Sequence, residues 1–309
     1  MLTYHLSPIT YHPSPITYPL PSRRCGATVS AAMPNIPDPK EQAYLYDLYV
    51  VPGWREVFDQ MVDDEVKIPP EVLEEGIMLD AECGTGGYAV DLLLRGGQQA
   101  VVVGVDASEE KLALARGKAE IQKVERRVTF RHGTLAALGV AASAFDWLTA
   151  DATLTAPEML GAAFVELHRV AKPGATVALK LATRGSFGEF FSVLWETLYE
   201  LELIEYTPRL ETLITARPTV SDAEALAAAA GWKNVRFVTR KVLLEYASGA
   251  EFVSTPLLAT AFLPEWLSFL PNQATRDRVL KHLPTVIDRA RQALDFDVSL
   301  KATLILAQK

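Results

Sequence analysis

The chain has 309 residues, 49% of them hydrophobic, and a formal net charge of −8. That length allows one large domain or two, and that apolar content excludes an intrinsically disordered chain. The acidic balance argues against bulk attraction to nucleic acid or anionic lipid, and two distant cysteines, Cys25 and Cys83, make no disulfide framework. No apolar run is long enough to span a bilayer, and the N-terminus lacks a signal-peptide layout, so the expectation is a soluble, cytoplasmic protein.

In chain order, residues 1–40 are a proline-dense stretch in which Thr3–Thr10 nearly recurs as Tyr11–Tyr18. With no helical or strand period it is expected to be a disordered or extended tail, with Met33 an alternative start. Residues 41–309 are expected to form the folded domain. From Asp38 to about Asp64 the pattern is helical, interrupted near Pro52-Gly53 and dense in aromatics: Tyr44, Tyr46, Tyr49, Trp54 and Phe58. Two readings stand side by side there, a helix packed on the core and a lid over a cleft.

The stretch Met78-Leu79-Asp80-Ala81-Glu82-Cys83-Gly84-Thr85-Gly86-Gly87 organises the rest of the chain. A short apolar run reads as a buried strand. Glycines let the turn after it adopt unusual backbone angles and let a ligand approach the main chain. The helix from about Tyr88 to Arg95 then points its free N–H groups at the same spot, as in a nucleotide-type cofactor site at the carboxyl end of a first strand. Gly96-Gly97 end that helix. Ala100–Asp106 is a second buried strand, and Ser108 caps the next helix, whose inward face is Leu112, Ala115 and Ala119. Val128–Arg131 and Phe145–Ala150 are further strands, and a helix spans about Pro157 to Arg169. Lys172-Pro173-Gly174 reads as a turn into a fifth strand, Thr176–Leu181. This alternation predicts a mainly parallel sheet covered on both faces.

After Thr183 the rhythm changes. Phe187 to Leu203 is an aromatic-rich helix. Ser221-x-x-Glu224 reads as a capping box opening a helix that Gly231 closes. Val235–Tyr246 and Leu300–Ala307 are strands. The helical region between them, 249–294, is too long for a hairpin loop and reads as an inserted substrate cap.

The succession resembles the class I S-adenosylmethionine-dependent methyltransferases, most fully over residues 75–183. Leu79–Gly86 is similar to the family's first motif and Val103–Ser108 to its second. Phe145-Asp146 begins a fourth strand of the expected kind, and Glu166–Gly174 is similar to the family's helix, turn and fifth strand. The resemblance implies a doubly wound, Rossmann-like seven-stranded α/β sheet with an antiparallel last strand, S-adenosylmethionine as cofactor and a small-molecule methyl acceptor. It also implies a cofactor site of Asp80, Glu82, Cys83, Gly84, Thr85, Gly86, Asp106, Ala107, Gly133, Thr134 and Asp151. Within it Gly84 and Gly86 lie against the methionine portion, Asp106 accepts from the ribose hydroxyls, and His132-Gly133-Thr134 sits beside the adenine. Asp151, His132 and Glu189 are general-base candidates by position alone. The chain departs from the family pattern at Glu82, where glycine or alanine is usual, and at Thr134, where an acidic residue is common. A carboxylate at 82 has to point away or pair with the cofactor's ammonium.

Two rivals remain at this level. Gly84-Thr85-Gly86-Gly87-Tyr88-Ala89 with Asp106 formally satisfies the dinucleotide fingerprint of a nicotinamide enzyme. A methyltransferase-fold protein that binds a ligand or partner without catalysis also fits. His168 and His282 read as surface or capping residues, Cys83 as a loop filler, and no histidine–cysteine constellation suggests a metal. The acceptor and the oligomeric state are not legible.

Overall fold

The computed structural model describes residues 16–17, 38–291 and 296–309. Most of the proline-dense tail therefore lies outside the described residues. Of residues 1–37 only β1 (Ile16–Thr17) is described, pairing in parallel with Val242 and Leu243, while Pro39 and Lys40, expected to end the tail, already belong to the first helix.

The N-terminal helical run comprises α1 (Pro39–Leu45), a π-helical stretch Tyr46–Arg55, and α2 (Glu56–Glu65). Asp38 caps it by accepting from Glu41 N. The expected interruption at Pro52-Gly53 does not occur. Proline lacks the N–H of an α-helical bond, and the wider π turn carries the chain past it.

After α3 (Pro70–Glu75) come β2 (Ile77–Ala81), α4 (Gly87–Arg95), β3 (Val101–Asp106), α5 (Glu109–Ile121), β4 (Val128–His132) and β5 (Phe145–Asp151). Ser108 caps α5 as expected, accepting from Lys111 N at 3.2 Å. Next are α6 (Leu160–Val170), β6 (Ala171–Ala182), α7 (Gly188–Glu200), α8 (Thr207–Ala216), α9 (Val220–Ala229) and β7 (Lys233–Tyr246). The region between the last two strands holds α10 (Gly249–Ser254), a π-helical stretch Leu257–Phe262, α11 (Leu263–Trp266) and α12 (Gln273–Arg291) before β8 (Phe296–Gln308).

Two local expectations are corrected. Lys172-Pro173-Gly174 is not a turn before the fifth strand but an excursion inside β6. Phe145 pairs with Ala171 and Trp147 already with Thr176, and the extra residues turn out at Gly174 (φ 84°). The capping box of α9 is Thr219 with Asp222 rather than Ser221 with Glu224, because the earlier pair satisfies the same pattern two residues sooner.

The strands lie in the order β1-β7-β8-β6-β5-β2-β3-β4. Without the two-residue β1 this is the expected seven-stranded sheet, and counted along the chain from β2 its strands lie in the order 3-2-1-4-5-7-6. Only β8 runs antiparallel to its neighbours. Neighbouring parallel strands are buried on both sides, and two apolar cores result. One packs α2, α4, α5, α7 and the inserted helices against one face; the other packs α6 and α9 against the opposite face. The chain runs β2-β3-β4 in one direction and then crosses to β5 on the other side of β2. That reversal opens a crevice at the carboxyl ends of β2 and β5, where ligands of open α/β sheets bind.

Candidate active site

The crevice is a cavity of about 290 Å³ whose wall includes Glu82 after β2, Asp106 at the end of β3, Thr134 after β4 and Asp151 at the end of β5. Side chains from outside the alternating strand ends add to it: Tyr46, Trp54 and Arg55 from the N-terminal run and Lys111 from α5.

Asp106 holds the turn together. Its Oδ2 accepts from Gly84 N at 2.8 Å and its Oδ1 from Ser108 N at 2.9 Å. Gly84 has φ 58°, and a Cβ there would come within 2.9 Å of the Tyr46 ring and hydroxyl, so Tyr46 lies directly on the glycine. Burial pushes the Tyr46 phenol well above its ordinary value. Lys111 Nζ stands 3.9 Å over the same ring, a cation–π contact. Glu82 takes the left-handed conformation at φ 54° and lines the cavity, its Oε1 accepting from Leu135 N at 3.0 Å. Burial, with Asp106 adding repulsion, pushes its carboxyl up to about 7.

Beneath the cavity Arg55 draws together charges from separate strands. Its guanidinium lies 3.3 Å from Asp80 Oδ1 and 3.6 Å from Asp151 Oδ2, and it donates to the Glu82 carbonyl. Asp80 is fully buried; burial raises its carboxyl pKa despite Arg55, and its Oδ2 has no hydrogen-bond partner. The fully buried Lys180 pairs with Asp59 of the same N-terminal run. Asp151 is oriented by Thr153, whose N–H and hydroxyl both donate to Oδ1 at 2.9 and 2.6 Å, while Trp54 Nε1 donates to Thr153 Oγ1 at 2.9 Å.

A larger cavity, about 650 Å³, adjoins this one. It is lined by residues 152–158, by the end of α8 and by Glu265, Trp266 and Phe269 of the inserted region, and Thr153, Leu154 and Thr155 belong to both walls.

Residues 78–174 match a family model described as a methyltransferase domain. The chain is 34% identical over 99 residues to a demethylmenaquinone methyltransferase of Shouchella clausii, covering 32% of this chain and 42% of the relative. It is 28% identical over 170 residues to one of Bacillus licheniformis, covering 52% and 71%. The chain spans about two fifths of the length of several such relatives. In fold it is similar to the YcgJ protein of Bacillus subtilis, with a TM-score of 0.51, 20% identity, and 82% and 98% of the two chains covered. The same TM-score relates it to a Haemonchus contortus phosphoethanolamine N-methyltransferase 2 in complex with S-adenosyl-L-methionine, at 16% identity, with 87% and 57% covered.

Residues 78–174 thus match a methyltransferase domain, and the sheet around them has the fold of class I S-adenosylmethionine-dependent methyltransferases.

Within this methyltransferase domain the expected site residues divide by position. Glu82, Asp106, Thr134 and Asp151 come together on the cavity wall. Gly84 stands beside them under Tyr46. Asp80 lies below the wall, behind Arg55. The Cys83 side chain is fully buried near Gly104, and burial pushes its thiol up, as a loop filler should be. Gly86 does not face the cavity: a Cβ there would meet Ala115 at 2.6 Å and Phe130 at 2.8 Å, so its role is to let α5 and β4 pack. Thr85 turns toward the N-terminal run, donating to Asp47 and accepting from Lys118 Nζ at 3.0 Å. Ala107 is exposed off the wall, and Gly133 is buried with its N–H on Asp106 O.

Two of the three general-base candidates fall outside. His132 is exposed at the end of β4 and is not part of the wall. Glu189 is occupied on β8, accepting from Ser299 N at 3.0 Å and from Ser299 Oγ at 2.7 Å. Phe187 and Phe190, which open the aromatic-rich helix near the crevice, are fully buried core. Tyr46, Arg55, Lys111 and Thr153 are wall residues that motifs alone do not reveal. For Tyr46 the aromatic density of 44–58 was a signal; the single Arg55 in an apolar helix carried none.

Proposed function

We propose that the chain binds S-adenosylmethionine in the smaller cavity and methylates a small-molecule acceptor held in the larger one. The observation that carries this reading is the shared wall at Thr153–Thr155, which makes the two differently built cavities neighbours. Two ligands meeting at one wall suit an in-line displacement, in which alignment and exclusion of water are worth up to roughly 7–11 kcal/mol.

The residues present fit the cofactor. Asp106 uses one lone pair per oxygen on Gly84 and Ser108 and retains acceptor capacity for a ribose diol. Glu82 offers a carboxylate to the cationic portion, and a positive neighbour would draw its proton off. When bound, the cofactor supplies an electrophilic methyl group on a sulfonium. Thr153 keeps Asp151 in one orientation at the cavity wall, and Trp54, by bonding Thr153, fixes the wall common to both cavities. Tyr46, lying on Gly84, adds its ring to the wall of the smaller cavity.

Calorimetric titration with S-adenosylmethionine, S-adenosylhomocysteine and NAD, each separately, tests this reading. The two adenosyl ligands are expected to bind and NAD to give no heat. Asp106→Ala, checked for folding by circular dichroism, is expected to weaken binding about tenfold or more, since hydrogen bonds to a charged group are worth about 1.5–3 kcal/mol. Heat from NAD alone would overturn it. A reading without catalysis draws on Tyr46 lying over Gly84; cofactor binding without methyl transfer to any acceptor in a broad screen would favour it.

A further inference from the structure

The larger cavity has mostly apolar walls, among them Leu181, Ala182, Phe191, Leu213 and Trp266. Arg217 also lines it. This arginine follows the last turn of α8 in a loop that Arg184 pins at three carbonyls. Arg184 donates through its guanidinium to the carbonyls of Thr215 at 2.7 Å and Arg217 at 3.0 Å, and through its N–H to that of Pro218 at 2.9 Å. The Arg217 guanidinium lies 5.1 Å from the Phe187 ring centroid. Among the described residues no carboxylate pairs with it, and its side chain makes no hydrogen bond. Burial holds it below the usual guanidinium range, with Glu265 only partly opposing the effect.

The other charged groups on this wall behave differently. Arg209 is exposed and donates to the Phe269 carbonyl at 3.2 Å. Glu158 and Glu265 are exposed. Glu265, on the same wall, acts on Arg217 only at a distance and forms no ion pair with it, and a half-buried cation without a close anion is costly to maintain unless a ligand supplies one.

Resting on the assignment of this cavity to the acceptor, we propose that the acceptor carries a carboxylate that seats on Arg217. Its apolar body packs against Trp266 and Phe191, and its reacting end lies toward Thr153. One guanidinium matches one carboxylate through two parallel hydrogen bonds. A phosphate dianion would call for a second inward cation, and Arg209 is turned to a backbone carbonyl at the rim.

The test uses the full chain and paired small aromatic acids and their methyl esters, such as 4-hydroxycinnamate and methyl 4-hydroxycinnamate. Each is titrated by calorimetry with and without S-adenosylhomocysteine. The acids are expected to bind at least about tenfold tighter than their esters, the equivalent of about 1.4 kcal/mol. Arg217→Gln is expected to erase that preference while leaving S-adenosylhomocysteine affinity unchanged, and Arg217→Lys to retain part of it. Equal affinity for acid and ester, no binding of any acid at millimolar concentration, or an undiminished preference in Arg217→Gln would overturn the proposal. The two readings fail separately. Loss of adenosyl binding with the acid preference intact sinks the cofactor assignment, whereas adenosyl binding without an acid preference sinks the Arg217 site.

Discussion

At position 82 a residue with a full side chain sits at φ 54°, where the motif around it leads one to expect glycine, and its carboxylate lines the cavity. Its carboxyl is pushed up from 4.5 to about 7, first by burial and then by Asp106. Between those values the folded chain keeps a proton that the unfolded chain has lost, so the stability it contributes is present at low pH and is lost as pH rises through about 7. Glu82→Gln keeps an acceptor for Leu135 N and removes the titration. The variant should match the parent near pH 4.5 and exceed it at pH 8 by roughly 1–3 kcal/mol, after allowing for partial solvent screening. Urea denaturation at both pH values checks this; a gain equal at both would mean that something other than the charge is responsible. Glu82 and Asp106 were legible because each stands at a fixed offset from a strand end. Thr153 and Lys111 were not, because a wall made across the fold has no local spacing to read. Gly86 shows the converse: its place in the motif reads as ligand contact, while its missing Cβ makes room for Ala115 and Phe130.

Among elements, the helical run from Pro39 to Glu65 packs on the core, one of the two readings its sequence leaves open, and also supplies Tyr46, Trp54 and Arg55 to the cavity wall. Trp54 and Phe58 are buried in the core, and Tyr46 covers the glycine turn. The same run brings Arg55 to Asp80 and Asp151, and Asp59 to Lys180, so three strand-borne charges are balanced by one element. Removing one partner of a buried ion cluster leaves an uncompensated charge and costs about 3–5 kcal/mol. Arg55→Met should therefore lose an amount of that order in a denaturant titration, and Arg55→Met with Asp80→Asn should recover part of it. A single variant as stable as the parent would show that Arg55 does not hold the cluster. The strand–helix alternation was readable because hydrophobic period and turn residues are local. The π-helical passage past Pro52 and the excursion at Lys172-Pro173-Gly174 were not, since each depends on what the neighbouring strand or helix does. In β6 the pairing resumes with Trp147 opposite Thr176, a register set by the partner rather than by the residues that leave it.

For the molecule as a whole, the question is whether the inserted helices between β7 and β8 form a separate unit. Their side chains argue against it. Phe262 stands 4.9 Å from Trp54, Trp266 lies 4.4 Å from Phe190, and Phe252 is 5.4 Å from Phe296 of β8. The insertion thus shares one core with the N-terminal run, α7 and the sheet. The core on the opposite face, around Phe164, rests on the same strands. Neither face can lose its packing without exposing the sheet that supports the other. Phe252→Ala and Phe164→Ala remove large side chains from opposite faces, each expected to cost about 3–5 kcal/mol. Both should shift one cooperative transition, with far-ultraviolet circular dichroism and tryptophan fluorescence giving the same midpoint. If Phe252→Ala instead split the transition, leaving helix content to melt in two steps while Phe164→Ala did not, the insertion would be an independently folding cap. The aromatic contacts to Trp54 and Phe190 would then contribute little to holding it in place.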